Sequence, residues 1–250
     1  ERMRNLLYCC ATKLGRTLLD LAAALAPDDA DAPTLLLTSG TTDSDPLAAL
    51  GVDLVRRVCD DAQLLFEDVR FTAVAPLQPE NKGVATLAVN GDCIAHPRSA
   101  LRYVGRLARR YPGTKPLDMA QCDALLEMHA DFATPLRLAL DPGAFGVELD
   151  EAQRAAQLEW LNGKHLPRYV ALLLSESEDG EWLGNFDYPT IADYAWAATL
   201  TWLRDDGIPG VRLPHAAMPA VDEYLARFRD ERRGGGSWSP GGSSECSKDD

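Results

Sequence analysis

The sequence predicts an α/β layer followed by an all-helical one, the α/β plus all-α class. Three observations carry this. Short apolar runs bounded by turn formers alternate with helical stretches over residues 33–112. From Pro116 onward the apolar residues recur at helical spacing. Third, residues 184–203, GNFDYPTIADYAWAATLTWL, open with loop formers and then run almost free of charge. A helix that is apolar all round is a buried helix, so the chain is expected to pack around this one. Its start signal is Thr190-Ile191-Ala192-Asp193. Thr190 as N-cap accepts from the Asp193 N–H, and the Asp193 carboxylate returns a bond to the Thr190 N–H at the positive end of the helix dipole. Such a capping box holds the fold and does no chemistry.

Composition narrows the function classes. The chain has 250 residues, enough for one large domain or two modest ones, and is 46% hydrophobic and 25% charged, an ordinary globular balance. A net charge of −13 and a pI near 4.7 repel phosphate backbones, which argues against nucleic acid and anionic membrane as partners. The six cysteines, Cys9, Cys10, Cys59, Cys93, Cys122 and Cys246, form no Cys-x-x-Cys, and no His pair has ligand spacing. That pattern speaks against a metal site and a disulfide framework, and for a reducing compartment. No apolar run reaches the ~18 residues of a membrane span.

In chain order, residues 1–32 form a predicted N-terminal helical extension. Its helix over 3–26 carries Leu6, Leu7, Leu18, Leu19, Leu21 and Leu25, with Arg2, Arg4, Lys13 and Arg16 and no acid between Glu1 and Asp20. It reads first as an extra helix, packing on the domain or poorly ordered, and second as an organelle transit segment. Residues 34–38 read as a buried strand, 39–46 as a polar loop, and 47–61 as a helix with Leu50, Leu54, Val55 and Val58 on one face. Strands follow at 64–71, 84–89 and 92–95, the last two joined by Asn90-Gly91, a strong hairpin signal. A helix over 99–110 presents Leu101, Val104 and Leu107.

Tyr111-Pro112-Gly113-Thr114 reads as a linker. In the helical half, Leu125, Met128, Phe132 and Leu136 form one stripe, with a kink expected at Pro135. Leu158, Leu161, His165, Tyr169 and Leu172 form a second, with His165 as a satisfied core histidine. Val221, Tyr224, Leu225 and Phe228 line a last helix, with Pro219 in its first turn. Residues 233–250 are low-complexity and expected to be disordered.

Strand–helix–strand, hairpin, helix is the order of a thioredoxin-like domain. The string from Gly184 through the capping box to Trp202-Leu203 and Asp206-Gly207-Ile208-Pro209 resembles the C-terminal domain of the cytosolic glutathione transferases, most closely the sigma-like members. Phe66-Glu67-Asp68-Val69-Arg70-Phe71 is similar to that family's second strand. Val89-Asn90-Gly91-Asp92 and Arg98-Ser99-Ala100-Leu101-Arg102-Tyr103 are similar to its hairpin and third helix. The resemblance covers residues 33–232. It implies a thioredoxin-like domain over 33–112 and an all-helical glutathione-transferase domain over 116–232. It also implies glutathione as cosubstrate, a small electrophile or peroxide as second substrate, a cytoplasmic homodimer and a detoxification role. A transferase-fold protein that binds or scaffolds without catalysis is the rival, and an organelle-targeted isomerase-type relative a third reading.

Such a transferase lowers the thiol pKa of glutathione from about 8.5 with a hydroxyl donor after the first strand. The family also uses a Val–cis-Pro before the third strand, and a Gln/Glu-Ser pair at the start of the third helix, where the dipole favours a carboxylate. This chain departs from all three. Leu35, Leu36 and Leu37 stand where the Tyr would lie, which leaves Ser39 as the preferred thiol partner; a serine that only caps the next helix is the alternative. The Val-Pro position reads Val84-Ala85, and a cis bond before Ala costs ~2.5–4 kcal/mol, so a trans bond is expected, with Val84 still able to pair with a peptide. The Gln-Ser pair reads His96-Pro97. Pro97 supplies neither hydroxyl nor N–H, so His96, Arg98 and Ser99 are the candidates for the carboxylate; alternatively Pro97 only starts the helix and His96 is an exposed loop residue. His129, Phe132 and Leu136 are where the family's apolar pocket would lie, though such a stripe is more often core than pocket. No cysteine opens the first thioredoxin-like helix, which disfavours thiol-based chemistry, and Cys59 reads as a small core residue.

Overall fold

The computed structural model describes residues 33–41, 46–72, 86–177, 182–205 and 207–233. The expectations for residues 1–32 and for the tail beyond Arg233 lie outside these.

The front half is a four-stranded mixed sheet in the order β2-β1-β3-β4: β1 (Leu35–Thr41), β2 (Phe66–Thr72), β3 (Thr86–Val89) and β4 (Asp92–Ala95). The apolar run after Thr34 makes β1 a central strand, parallel to β2 and antiparallel to β3. Side chains alternate across a strand, so Leu35 and Leu37 join the core with Leu87 while Leu36 is buried on the other face. Asn90 and Gly91 have φ of 50° and 93°, the pair of positive values that a type I′ hairpin turn requires. Asn90 also fixes the end of β1: its N–H donates to Thr34 O at 3.0 Å and its Oδ1 accepts from Thr34 N at 2.8 Å. The strand predicted at 64–71 begins at Phe66, and Leu65 stands out in solvent.

Helix α1 (Pro46–Asp61) and helix α2 (Pro97–Leu107) pack on each other and contact the helical half. α2 begins two residues before the predicted start because Pro97 sits at the first helical position, where its missing N–H costs nothing. It ends before the predicted Arg110, in a turn where Arg109 has φ 56°.

The back half comprises α3 (Pro116–Leu140), α4 (Glu151–Trp160), a π segment (Leu161–His165), α5 (Leu166–Ser175), α6 (Ile191–Arg204) and α7 (Met218–Arg233). Every residue from Ile191 to Leu200 is buried, with α1, α2, α3 and α7 around it. Gly105 lets α2 approach this axis: a Cβ there would meet Ile191 Cγ2 at 2.6 Å. The Ile191 N–H donates to Arg110 O at 2.8 Å, tying the start of α6 to the end of the α2 turn. α3 runs unbroken through Pro135, whose carbonyl accepts from Gln157 Nε2 at 3.4 Å.

One predicted stripe is displaced. Leu172 is 39% exposed, whereas Leu166, Val170 and Leu173 are buried. The Leu166 N–H bonds to Leu161 O, an i→i−5 closure that inserts one extra residue into the helix. A periodicity counted across that insertion slips by one position, which moves the buried face from Leu172 to Leu173. His165, inside the π segment, is a satisfied core histidine: its Nε2 lies 3.0 Å from Phe132 O.

Candidate functional site

The sheet register brings two of the sequence candidates to one end. Thr38 pairs with Thr86, and Thr86 pairs with Ala95. His96 leaves the sheet after Ala95, whereas Ser39 is not in the expected loop but inside β1, which runs on to Thr41 beside β2; both positions lie just past the same end of β3. Two strand spacings separate them by about 10 Å, close to the length of an extended tripeptide. Ser39 itself pairs with Arg70 of β2, and its side chain is outside the described residues. Val84 and Ala85, which precede β3, lie outside the described residues as well.

His96 is the N-cap of α2. It is exposed, has φ 94° and ψ 120°, and makes no side-chain cap bond. Positive φ in a residue with a Cβ costs of order 1–3 kcal/mol and persists only where the surroundings fix it. Pro97 follows at the first helical position, and no acid occupies the first turn of α2. Ser99 is exposed on that turn. Arg98 Nη1 is 2.9 Å from Glu127 Oε2 of α3. One turn on, Arg102 Nη2 meets Glu127 Oε1 at 3.3 Å and Arg102 Nε meets Asp123 Oδ1 at 2.7 Å, while Tyr111 Oη donates to Asp123 Oδ2 at 3.1 Å. Two arginines four apart on α2 therefore face two carboxylates four apart on α3. Glu127 has no counterpart among the sequence candidates; it lies 29 positions from Arg98, and only the i, i+4 repeat of opposite charge on two helices hints at it.

The three residues named for an apolar pocket divide. Phe132 and Leu136 are fully buried core. His129 is half-buried, with Nε2 2.8 Å from Thr199 Oγ1 and its ring edge-on to Trp196 at 5.4 Å. Burial, and secondarily the charge of Arg98, lower its pKa to about 4, so the ring is neutral at pH 7. A different apolar groove of about 440 Å³ opens between the second half of α3 and α4, lined by Thr134, Pro135, Leu138, Phe145, Gln157 and Trp160 among others.

Thr190 and Asp193 form the predicted capping box, with additional partners. Asp193 Oδ2 accepts from Thr190 N (2.8 Å) and Thr190 Oγ1 (3.0 Å); Oδ1 accepts from Leu183 N (3.1 Å) and Tyr224 Oη (3.1 Å). Burial pushes the Asp193 carboxyl up to about 6 against these bonds. Buried Cys59 and Cys122 have thiols pushed up to about 12 by desolvation, which makes them inert at neutral pH. Among the described residues no cluster of His, Cys, Asp and Glu can hold a metal ion. No described helix is long and apolar enough to cross a membrane.

No protein-family model matches the sequence, and no curated protein matches it. Solved structures do. The prostaglandin synthase D of Nilaparvata lugens is 18% identical, covers 80% of this chain and 92% of its own, and superposes with a TM-score of 0.59. The glutathione S-transferase of Ascaris lumbricoides is 22% identical over 80% of this chain and 95% of its own, with a TM-score of 0.58. A theta class glutathione S-transferase of Xanthomonas axonopodis pv. citri, solved with glutathione bound, is 19% identical over 81% and 96%, with a TM-score of 0.56. At such identities the likeness shows the fold: a thioredoxin-like layer followed by a helical domain, the glutathione-transferase architecture.

Proposed function

We propose that the protein binds glutathione past the end of β3, between Ser39 of β1 and His96, and transfers its thiolate to a small electrophile or uses it to reduce peroxides. The observation that carries this reading is the start of α2. Its first turn has no side-chain cap and no acid, and it carries His96, Arg98 and Ser99. A carboxylate there accepts from first-turn N–H groups and gains about 0.3–1 kcal/mol from the dipole, with Arg98 adding charge once it turns from Glu127 to the ligand. The sulfur of glutathione hangs from its central residue, so a molecule anchored by that carboxylate carries its thiol within about 10 Å of His96, toward Ser39 some two strand spacings away. Ser39 then donates to the sulfur and stabilises the thiolate, while Val84 and Ala85 pair with the peptide backbone. In this reading the protein is a homodimer, as the sequence resemblance implies.

Two observations favour a second reading, a transferase-fold protein that binds without turnover. Pro97 supplies no N–H, and Arg98 is already paired with Glu127. Passage over immobilised glutathione and assay with a generic aromatic electrophile separate the two. Retention with turnover that falls at least tenfold in Ser39→Ala supports catalysis. Retention without turnover supports the binding module, and no retention contradicts both.

A further inference from the structure

The two-by-two ladder between α2 and α3 is uneven. Arg102 has two carboxylates: Asp123 at 2.7 Å and Glu127 at 3.3 Å. Among the described residues Arg98 has only Glu127, at 2.9 Å, and this outer rung is the more exposed one, its side chains 36% and 59% accessible. Glu127 spends one oxygen on each arginine. The four charges sum to zero, so this side of α2 offers an incoming anion no net attraction until Glu127 yields Arg98.

We infer that Glu127 competes with the bound ligand's carboxylate for Arg98 and so sets how weakly the chain holds glutathione. The inference rests on the function proposed above. A guanidinium presents a planar fork that suits one carboxylate at a time in bidentate geometry. Withdrawing Arg98 from Glu127 leaves Glu127 on Arg102, which Asp123 keeps in place, so the exchange disturbs only the outer rung. Exposed ion pairs are worth ~0.2–1 kcal/mol, which corresponds to a change in affinity of up to about fivefold when the competitor's charge is removed.

The experiment is a double-mutant cycle read by calorimetric titration of glutathione into the full chain. Glu127→Gln keeps the side-chain shape and removes the charge. It is expected to tighten glutathione about two- to fivefold in the wild-type background and to give no gain in an Arg98→Gln background. Unchanged or weaker binding in Glu127→Gln overturns the inference, as does an equal gain without Arg98. A purely structural rung instead shifts the melting temperature and leaves the affinity alone, which also counts against it. Failure of all four proteins to bind at millimolar glutathione overturns the underlying functional reading and this inference with it.

Discussion

α6 and α2 begin in opposite ways. At the start of α6 the buried carboxylate of Asp193 answers Thr190, Leu183 and Tyr224. At the start of α2 an exposed histidine at φ 94° caps nothing, and proline removes a donor. A helix that meets its own terminal demands in the core is holding the fold; one that leaves them open at the surface is available to a ligand. The contrast explains why the capping-box aspartate, although its pKa is shifted, is a poor catalytic candidate: its lone pairs are spent on α6, the 183–185 turn and α7.

The largest expected effect breaks the closed start. Asp193→Ala strands the Thr190 and Leu183 N–H groups in the core and leaves the Tyr224 hydroxyl only the Asp193 carbonyl at 3.4 Å, and should cost about 3–5 kcal/mol in urea unfolding. A loss under 1 kcal/mol contradicts the description of α6 as the axis of the helical half.

Next is the pH dependence, where two buried groups pull in opposite directions. Asp193 has a folded pKa of about 6 against an unfolded value near 3.9, so the native state binds the extra proton between those limits. Its contribution, of order 3 kcal/mol, is present below about pH 4 and lost as pH rises through 6. His129 has a folded pKa of about 4 against about 6.5 unfolded, so its contribution is present above 6.5 and lost as pH falls toward 4. Between pH 4 and 6 the two slopes offset. Asp193→Asn should therefore make stability fall more steeply on acidification, and His129→Gln should make it rise. The same slope in both variants argues against these assignments.

A third test sharpens the packing account behind the closed start. Leu173→Ala should cost about 2–5 kcal/mol and Leu172→Ala within about 0.5 kcal/mol. The reverse order would mean that the π segment does not shift the register. The smallest effect belongs to the open start. His96→Gly relieves a positive φ and should raise stability by up to about 1 kcal/mol in thermal unfolding. Lower stability would show that the histidine is held by contacts rather than strained.

How much of this was legible in the sequence follows from the range of each interaction. β1, the hairpin and α6 were readable because runs of apolar residues, Asn90-Gly91 and Thr190-x-x-Asp193 specify structure over a few positions. The insertion at Leu161–His165 was not, since nothing in LNGKH distinguishes an i→i−5 closure from an ordinary turn. Tyr224 lies 31 positions from Asp193 and Glu127 lies 29 from Arg98, so both partners appear only once the helices are packed. For the candidate site, His96, Arg98 and Ser99 were readable as neighbours in sequence. Their common sheet end with Ser39 needed the strand register.

The open start of α2 is tested most directly by calorimetric titration of glutathione into the wild-type chain and Arg98→Gln. Saturable binding that weakens severalfold on loss of Arg98 is the predicted result. Binding that is unaffected by Arg98→Gln, or no binding at millimolar glutathione, would contradict it.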